Sequence, residues 1–389
     1  MTSRERVLKA IAHKEPDRVP LDLGSTQVTG ISVIAYKNLR THLGMPERKM
    51  RVCDTIQQIA SPDEDILVRF GVDTRGLWPI IYSNARIEEE EQGEHLIHTN
   101  EWGLGYRRHK TGGLWYDLYR SPLAGVTLSE TMIRHYPWPG GGRKERVAGL
   151  RQRALTFRRA GYAVVLKSVC AGLLEMAIRL RGMEEFLIDL LIDKRNAGHI
   201  LDRILKVKMD YWETALAGLA DVVDVIAEGD DFGTQVSSLI SAATFREMIK
   251  PRQAELIAHM RRRAPGCAVF FHSCGSVREL LPDFIEMGIE ILNPVHITAA
   301  GMAPVDLKRE FGRDLVFWGG GVDTQGILPG GTPAQVRDHV RCNIEALAPG
   351  GGFVFNTVHN IQADVPPANI VAMYEALAEY GRYGSENVD

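Results

Sequence analysis

Long apolar runs are missing from this sequence. No stretch approaches the roughly 20 consecutive apolar residues that a membrane-spanning helix needs. The opening residues, Met1 to Ile11, lack the apolar core of a secretory signal and read as the start of an amphipathic helix. Cysteine is scarce as well: Cys53, Cys170, Cys267, Cys274 and Cys342 are an odd number spread over the whole chain. That excludes a disulfide framework and points to a reducing compartment, so a cytoplasmic location is expected. Neither sign of charge dominates, with 46 basic against 49 acidic residues and a formal net charge of −3. Neither a nucleic acid nor a membrane surface is expected as partner, and a small molecule or another protein fits better. The glycine spacings of dinucleotide and P-loop fingerprints are absent too. The run Gly319-Gly320-Gly321-Val322-Asp323 admits either a tight turn or the close approach of a ligand to the backbone.

What is present is enough for a large core, since 45% of the 389 residues are apolar. After about residue 145, helical stretches alternate with short β-branched runs, each followed by a loop of glycine and polar residues. That rhythm predicts an α/β fold with a parallel sheet and helical crossovers. The expected strands are Ala163 to Lys167, Val222 to Ala227, Ala268 to His272, Ile291 to Val295, Leu315 to Trp318 and Phe353 to Asn356. A further strand near residues 18–24 makes seven, which fits a TIM (β/α)8 barrel with one strand overlooked. Residues 26–145 differ. They are helical over about 32–70 and then, from Arg86-Ile87-Glu88 to about residue 125, alternate apolar and polar residues between glycines, as an antiparallel meander does. The expected organisation is therefore one domain over 1–389, with a helical and meander extension at 26–145 and the main barrel repeats at 146–381. The tail after Gly381 is expected to fray. Trp102, Trp115 and Tyr116 in the meander could pack on the barrel or form a homodimer surface.

Parallel barrels keep their chemistry where strands end and βα loops begin. His272 and Cys274 fall at such a point, two apart in extended backbone, so both side chains could reach one ion. Imidazole and thiolate are favoured zinc ligands, although a loop-bracing histidine beside an inert cysteine has the same spacing. Ser276 and Glu279, just beyond, have the form of a capping box. His359 also follows a strand and is either a third ligand or a loop brace. Glu228, Asp230 and Asp231 crowd the end of another strand, where carboxylates serve as acid, base or ligand, or merely cap a helix. By alternation Glu228 and Asp230 rank above Asp231. Asp73, Asn293, His296 and Asp323 are candidate substrate-binding groups, and Arg18 and Arg75 are either pocket cations or surface pairs.

Taken together, Pro16-Asp17-Arg18-Val19-Pro20, Phe70-Gly71-Val72-Asp73, the stretch from Glu228 to Gln235, His272-Ser273-Cys274-Gly275 and the ending from Phe355 to Asn369 resemble the uroporphyrinogen decarboxylase superfamily. The resemblance implies a TIM barrel with an N-terminal extension. It also implies one of two chemistries: haem-pathway decarboxylation, or zinc-dependent methyl transfer between corrinoid proteins and thiols such as coenzyme M. The decarboxylase branch carries an arginine-rich segment to hold a polyanionic substrate, whereas Leu21 to Gly30 here contain no arginine. The methyltransferase branch uses a His-x-Cys pair, matched by His272 and Cys274, with a later cysteine whose place His359 takes. The resemblance thus implies zinc on His272, Cys274 and His359, with Glu228, Asp230 or His359 handling protons. It also implies a small-molecule methyl donor or thiol, and a corrinoid supplied by a partner protein. A metal-free decarboxylase of another acid, with a basic pocket, and a non-catalytic corrinoid- or tetrapyrrole-binding barrel are the alternatives.

Overall fold

The alternation after residue 145 resolves into a ring of parallel strands. The computed structural model describes residues 1–80 and 89–384. The barrel and its extension together contribute thirteen strands among the described residues. β1 (Val52–Asp54) and β2 (Ile59–Ala60) form a small antiparallel pair, and β3 (Thr74–Leu77) is the first strand of the barrel sheet. The meander is β4 (Glu90–Gln92), β5 (His95–Thr99), β6 (Gly105–His109) and β7 (Asp117–Arg120), antiparallel throughout. Arg86-Ile87-Glu88, the expected start of the meander, lie outside the described residues, as does the tail from 385. The barrel continues with β8 (Ala163–Lys167), β9 (Val225–Gly229), β10 (Ala268–His272), β11 (Ile291–Asn293), β12 (Val316–Trp318) and β13 (Phe353–Val354), each parallel to the next.

Residues 19–23 fill the eighth position and close the ring. The Phe355 N–H donates to the Pro20 carbonyl at 2.8 Å, the Asp22 N–H to the Phe355 carbonyl at 2.9 Å, and the Asp73 N–H to the Leu21 carbonyl at 2.8 Å. The strand expected there is only a bridge between Leu21 and Phe355, because Pro20 has no N–H with which to lengthen a ladder. The overlooked strand is β3. Its sequence, Thr-Arg-Gly-Leu, does not advertise a strand, yet each residue has a reason. Gly76 passes so close to the early segment that a Cβ would stand 2.3 Å from the Ser25 carbonyl oxygen. Arg75 turns outward, stacks 3.6 Å from the Tyr162 ring centroid and pairs with Glu64. One barrel strand therefore lies inside the segment 26–145 assigned to the extension.

The barrel strands are buried on both faces, which is why they read as continuous apolar runs. Ala163, Val165, Val225, Ala227, Ala268, Phe270, Ile291, Val316, Trp318 and Val354 form one cluster inside the ring. Their neighbours of opposite parity, such as Val164, Leu166, Ile226, Val269, Phe271, Leu292 and Phe317, pack outward against the helices. The helix Ser3–Ile11 opens with a Thr2–Glu5 capping box and sends Val7 and Ala10 into the inner cluster, so it stops the N-terminal end of the barrel. The turn before β13 folds against this plug: the Gly352 N–H donates to the Ala10 carbonyl at 3.0 Å, and a Cβ on Gly351 would meet the Lys14 backbone at 2.6 Å. Trp102 and Tyr116 are buried against the core and only Trp115 of the three is exposed, at 47%. No described helix is long and apolar enough to cross a membrane.

Candidate active site

At the C-terminal end of the barrel lies a cavity of ≈ 670 Å³, bounded by strand ends, the β1–β2 segment and parts of the meander. Strand parity decides which strand-end side chains enter it. Lys167, His272 and Asn293 continue the inward-facing series of β8, β10 and β11. Gly229, facing His272 across the β9–β10 ladder, leaves room for that ring, since a Cβ there would lie 2.7 Å from the His272 Cβ.

His272, Cys274 and His359 come together, with one potential ligand atom from each lying within 4.8 Å of the others. The His272 Nε2 is 3.3 Å from the Cys274 Sγ, close to the edge of about 3.5 Å that zinc would give two tetrahedral ligands. Behind it, Asn293 donates from Nδ2 to the Trp318 carbonyl at 2.6 Å, which leaves its Oδ1 to accept from the His272 Nδ1 at 2.6 Å. That assignment places the His272 proton on Nδ1 and turns a bare Nε2 toward the group, as when a metal-bound histidine donates its other ring N–H to an oxygen behind it. The His359 ring stands edge-on to His272 at 5.6 Å. Burial, helped by the nearby His272, pulls the His359 pKa down to about 4, so the ring is neutral. Burial, with Asp231 and Glu175 adding to it, pushes the Cys274 thiol well above its ordinary value. The His359 ring and the Cys274 thiol are thus neutral donors, and a divalent cation would supply the positive charge that draws off the thiol proton. The residues fit zinc.

The loop carrying Cys274 is pinned on both sides. The Cys274 N–H donates to the Asp231 carboxylate at 2.9 Å, the Ser273 N–H to the Asn293 carbonyl at 2.7 Å, and the Gly275 N–H to the His296 Nδ1 at 3.0 Å. Gly275, at φ +83°, touches Gly233 so closely that a Cβ would lie 2.4 Å from the Gly233 carbonyl carbon. Ser276 does not form the expected capping box. Its hydroxyl donates to the Ala300 carbonyl at 2.7 Å, and the next helix starts as a 3-10 turn, Arg278–Leu280, after Val277.

The carboxylates sort differently from the order that alternation suggested. Glu228 has the parity of the outward-facing residues, although it also contributes to the cavity lining. Its carboxylate takes Ser168 Oγ at 2.8 Å, Trp212 Nε1 at 2.5 Å and Lys208 Nζ at 2.8 Å, the lysine arriving from the long helix Lys194–Leu219. Asp230 is buried outside the cavity lining and accepts the Leu174 and Glu175 N–H groups at 2.7 and 2.9 Å, the first turn of the helix Leu173–Arg181. Burial holds its pKa well above the carboxylate range in spite of those bonds. Asp231, ranked last, lines the cavity with Oδ1 3.6 Å from the His272 Nε2.

Of the substrate-binding candidates, Asn293 and His296 brace the His272–Cys274 loop. Asp73 is occupied by Arg6, Arg18 and the Leu21 N–H, and Asp323 accepts the N–H groups of Gln325, Gly326 and Ile327. Arg18 and Arg75 are both in ion pairs away from the lining. Lys167, which sequence reasoning treated only as a strand end, lines the cavity; burial lowers its pKa, with Asp54, Cys53 and Cys170 opposing.

A parallel barrel with imidazole, thiol and carboxylate groups gathered at its C-terminal strand ends is the architecture of an α/β-barrel enzyme. Residues 152–380 match the family model for uroporphyrinogen decarboxylase (URO-D), and the chain belongs to that family. The whole chain is similar in structure to a methyltransferase from Methanosarcina mazei, at a TM-score of 0.61 and 16% identity, covering 98% of this chain and 99% of that one. At such identity the likeness speaks for the fold. Xylanase 10B from Thermotoga maritima matches at a TM-score of 0.35 and 11% identity, over 61% of this chain and 82% of that one, too distant to carry an argument. No curated protein matches the sequence.

Proposed function

We propose that this protein is a zinc-dependent methyltransferase that moves a methyl group between a corrinoid protein and a small-molecule donor or thiol acceptor. The observation that carries the reading is the convergence of His272, Cys274 and His359 at one cavity on the catalytic end of the barrel. Zinc held by these three would act as a Lewis acid, drawing a thiol toward its thiolate or polarising the heteroatom of a methylated donor. Asn293 keeps the His272 Nε2 directed at the site. Asp231 is the carboxylate placed to receive a proton there or to complete the ligand set, a role its position beside His272 supports better than those of Glu228, ion-paired with Lys208, and Asp230, bonded to the Leu174 and Glu175 N–H groups. The URO-D family, and a full-length fold likeness to a protein titled a methyltransferase, agree with this reading. The alternative, a metal-free decarboxylase with a basic pocket, loses Arg18 and Arg75, whose guanidinium groups are committed elsewhere, and would have to rest on other cavity cations such as Lys167 and Arg108.

The test is metal content of untagged protein purified without chelator, compared with His272→Ala and Cys274→Ser. About one zinc per chain, lost in both variants, together with thiol-dependent demethylation of methylcobalamin, is the expected result. A folded wild type that stays empty when zinc is supplied would overturn the zinc mechanism.

A further inference from the structure

Most of the charged groups around the cavity are paired. Glu175 holds Arg179, Glu228 holds Lys208, Glu89 accepts from the Tyr116 hydroxyl, and Asp54 accepts the Gln57 N–H at 2.9 Å. Lys167 is different. It is 8% exposed, lines the cavity, and among the described residues its ammonium has neither a hydrogen-bond acceptor nor a carboxylate within ion-pair distance. The face of Trp78 lies 5.0 Å from Nζ to the ring centroid, and the Asp54 carboxylate acts on the ammonium from beyond ion-pair distance. Arg108, also in the lining, gives one N–H to Gln58 and leaves its buried Nε without an acceptor. On the acceptor side of the lining, Gln27 Oε1 has no hydrogen bond, and Glu228 Oε2 has only its ion pair with Lys208. An ammonium so enclosed and bonded to no protein acceptor leaves its three donors to whatever occupies the cavity.

We infer that Lys167 is the seat for a carboxylate or comparable oxyanion of the small-molecule substrate, held in the same cavity as the His272–Cys274–His359 group. A reacting heteroatom would then face the three donors while the substrate's anionic end is fixed by an ion pair on β8, which orients the molecule in the cavity. The inference rests on this cavity being the substrate chamber, and not on the identity of the metal.

The test is calorimetric titration of metal-free protein with mercaptopropionate, its uncharged counterpart mercaptopropanol, and mercaptopropanesulfonate. The wild type is expected to bind the carboxylate about tenfold or more tightly than the alcohol. Lys167→Met is expected to abolish that preference, Lys167→Arg to keep part of it, and His272→Ala to leave it intact. If the sulfonate outbinds the carboxylate, the seat stands and its ligand is the sulfonate. Equal binding of alcohol and anions by the wild type, no binding of either anion, or a preference that survives Lys167→Met overturns the inference. Thermal melting supplies a second reading: Lys167→Met should melt no lower than wild type, and a lower melting temperature would make the lysine structural. Failure of the zinc test with a persisting anion preference would discard the metal mechanism alone.

Discussion

Two lysines are buried around one cavity, and the contrast between them separates charge that builds the barrel from charge held ready for a ligand. Lys208 sits in the apolar stripe of the helix Lys194–Leu219, fully buried, and delivers its ammonium to Glu228, Ser168 and the Ala171 carbonyl. Burial works against that ammonium, and Cys170 and Glu228 more than offset it, so its pKa stands above the ordinary value. Lys167 ends the neighbouring strand β8 with the opposite parity and points into the chamber, where no carboxylate meets it and its pKa is lowered. Two positively charged groups of the same chemistry thus come to opposite states through the face of the sheet they occupy.

The sharpest way to break this contrast is Lys208→Met. It strands Glu228 in the layer between sheet and helices, and a loss of about 3–5 kcal/mol in denaturant unfolding is expected. Combining it with Glu228→Gln should restore most of that loss, leaving a deficit of about 1–2 kcal/mol; a double variant as unstable as the single one would show that the pair is not the unit of stability. Asn293→Ala tests the proposed zinc site by itself. Zinc affinity measured against a competing chelator should fall about 10–100-fold, because His272 loses the partner that fixes its tautomer. The smallest effect belongs to Lys167→Met, for which a melting temperature raised by about 1–2 °C is expected, as at sites where stability has been ceded to binding.

Much of the barrel could be read from the sequence because its strands are short apolar runs at regular intervals, and six of them lie where the pattern placed them, with ends shifted by a few residues. β3 escaped because its features answer to contacts no pattern displays: a glycine demanded by the Ser25 backbone and an arginine stacked on Tyr162. The His272–Cys274 pair and His359 were visible as strand-end residues, and their convergence needed the ring to close. The order of the acids failed for a more instructive reason. Alternation correctly paired Glu228 with Asp230, but the inward face belongs to Val225, Ala227 and Gly229, so the shared face is the outward one. Applying the same parity to Ala163, Val165 and Lys167 would have singled out the lysine, since a charged residue closing an inward apolar series is the available signal.

The plug formed by the helix Ser3–Ile11 has a kinetic consequence. With Val7 and Ala10 filling the far end of the ring, the described residues leave no way out of the chamber along the barrel axis on that side, and entry and departure share the opposite end. A macromolecule docked over that end bars passage to anything small still outside. If a corrinoid protein docks there as proposed, the small reactant must be aboard before it arrives, and an excess of that protein should slow turnover by trapping product. Initial-rate kinetics showing random order, without inhibition at high partner concentration, would contradict this sequence of events.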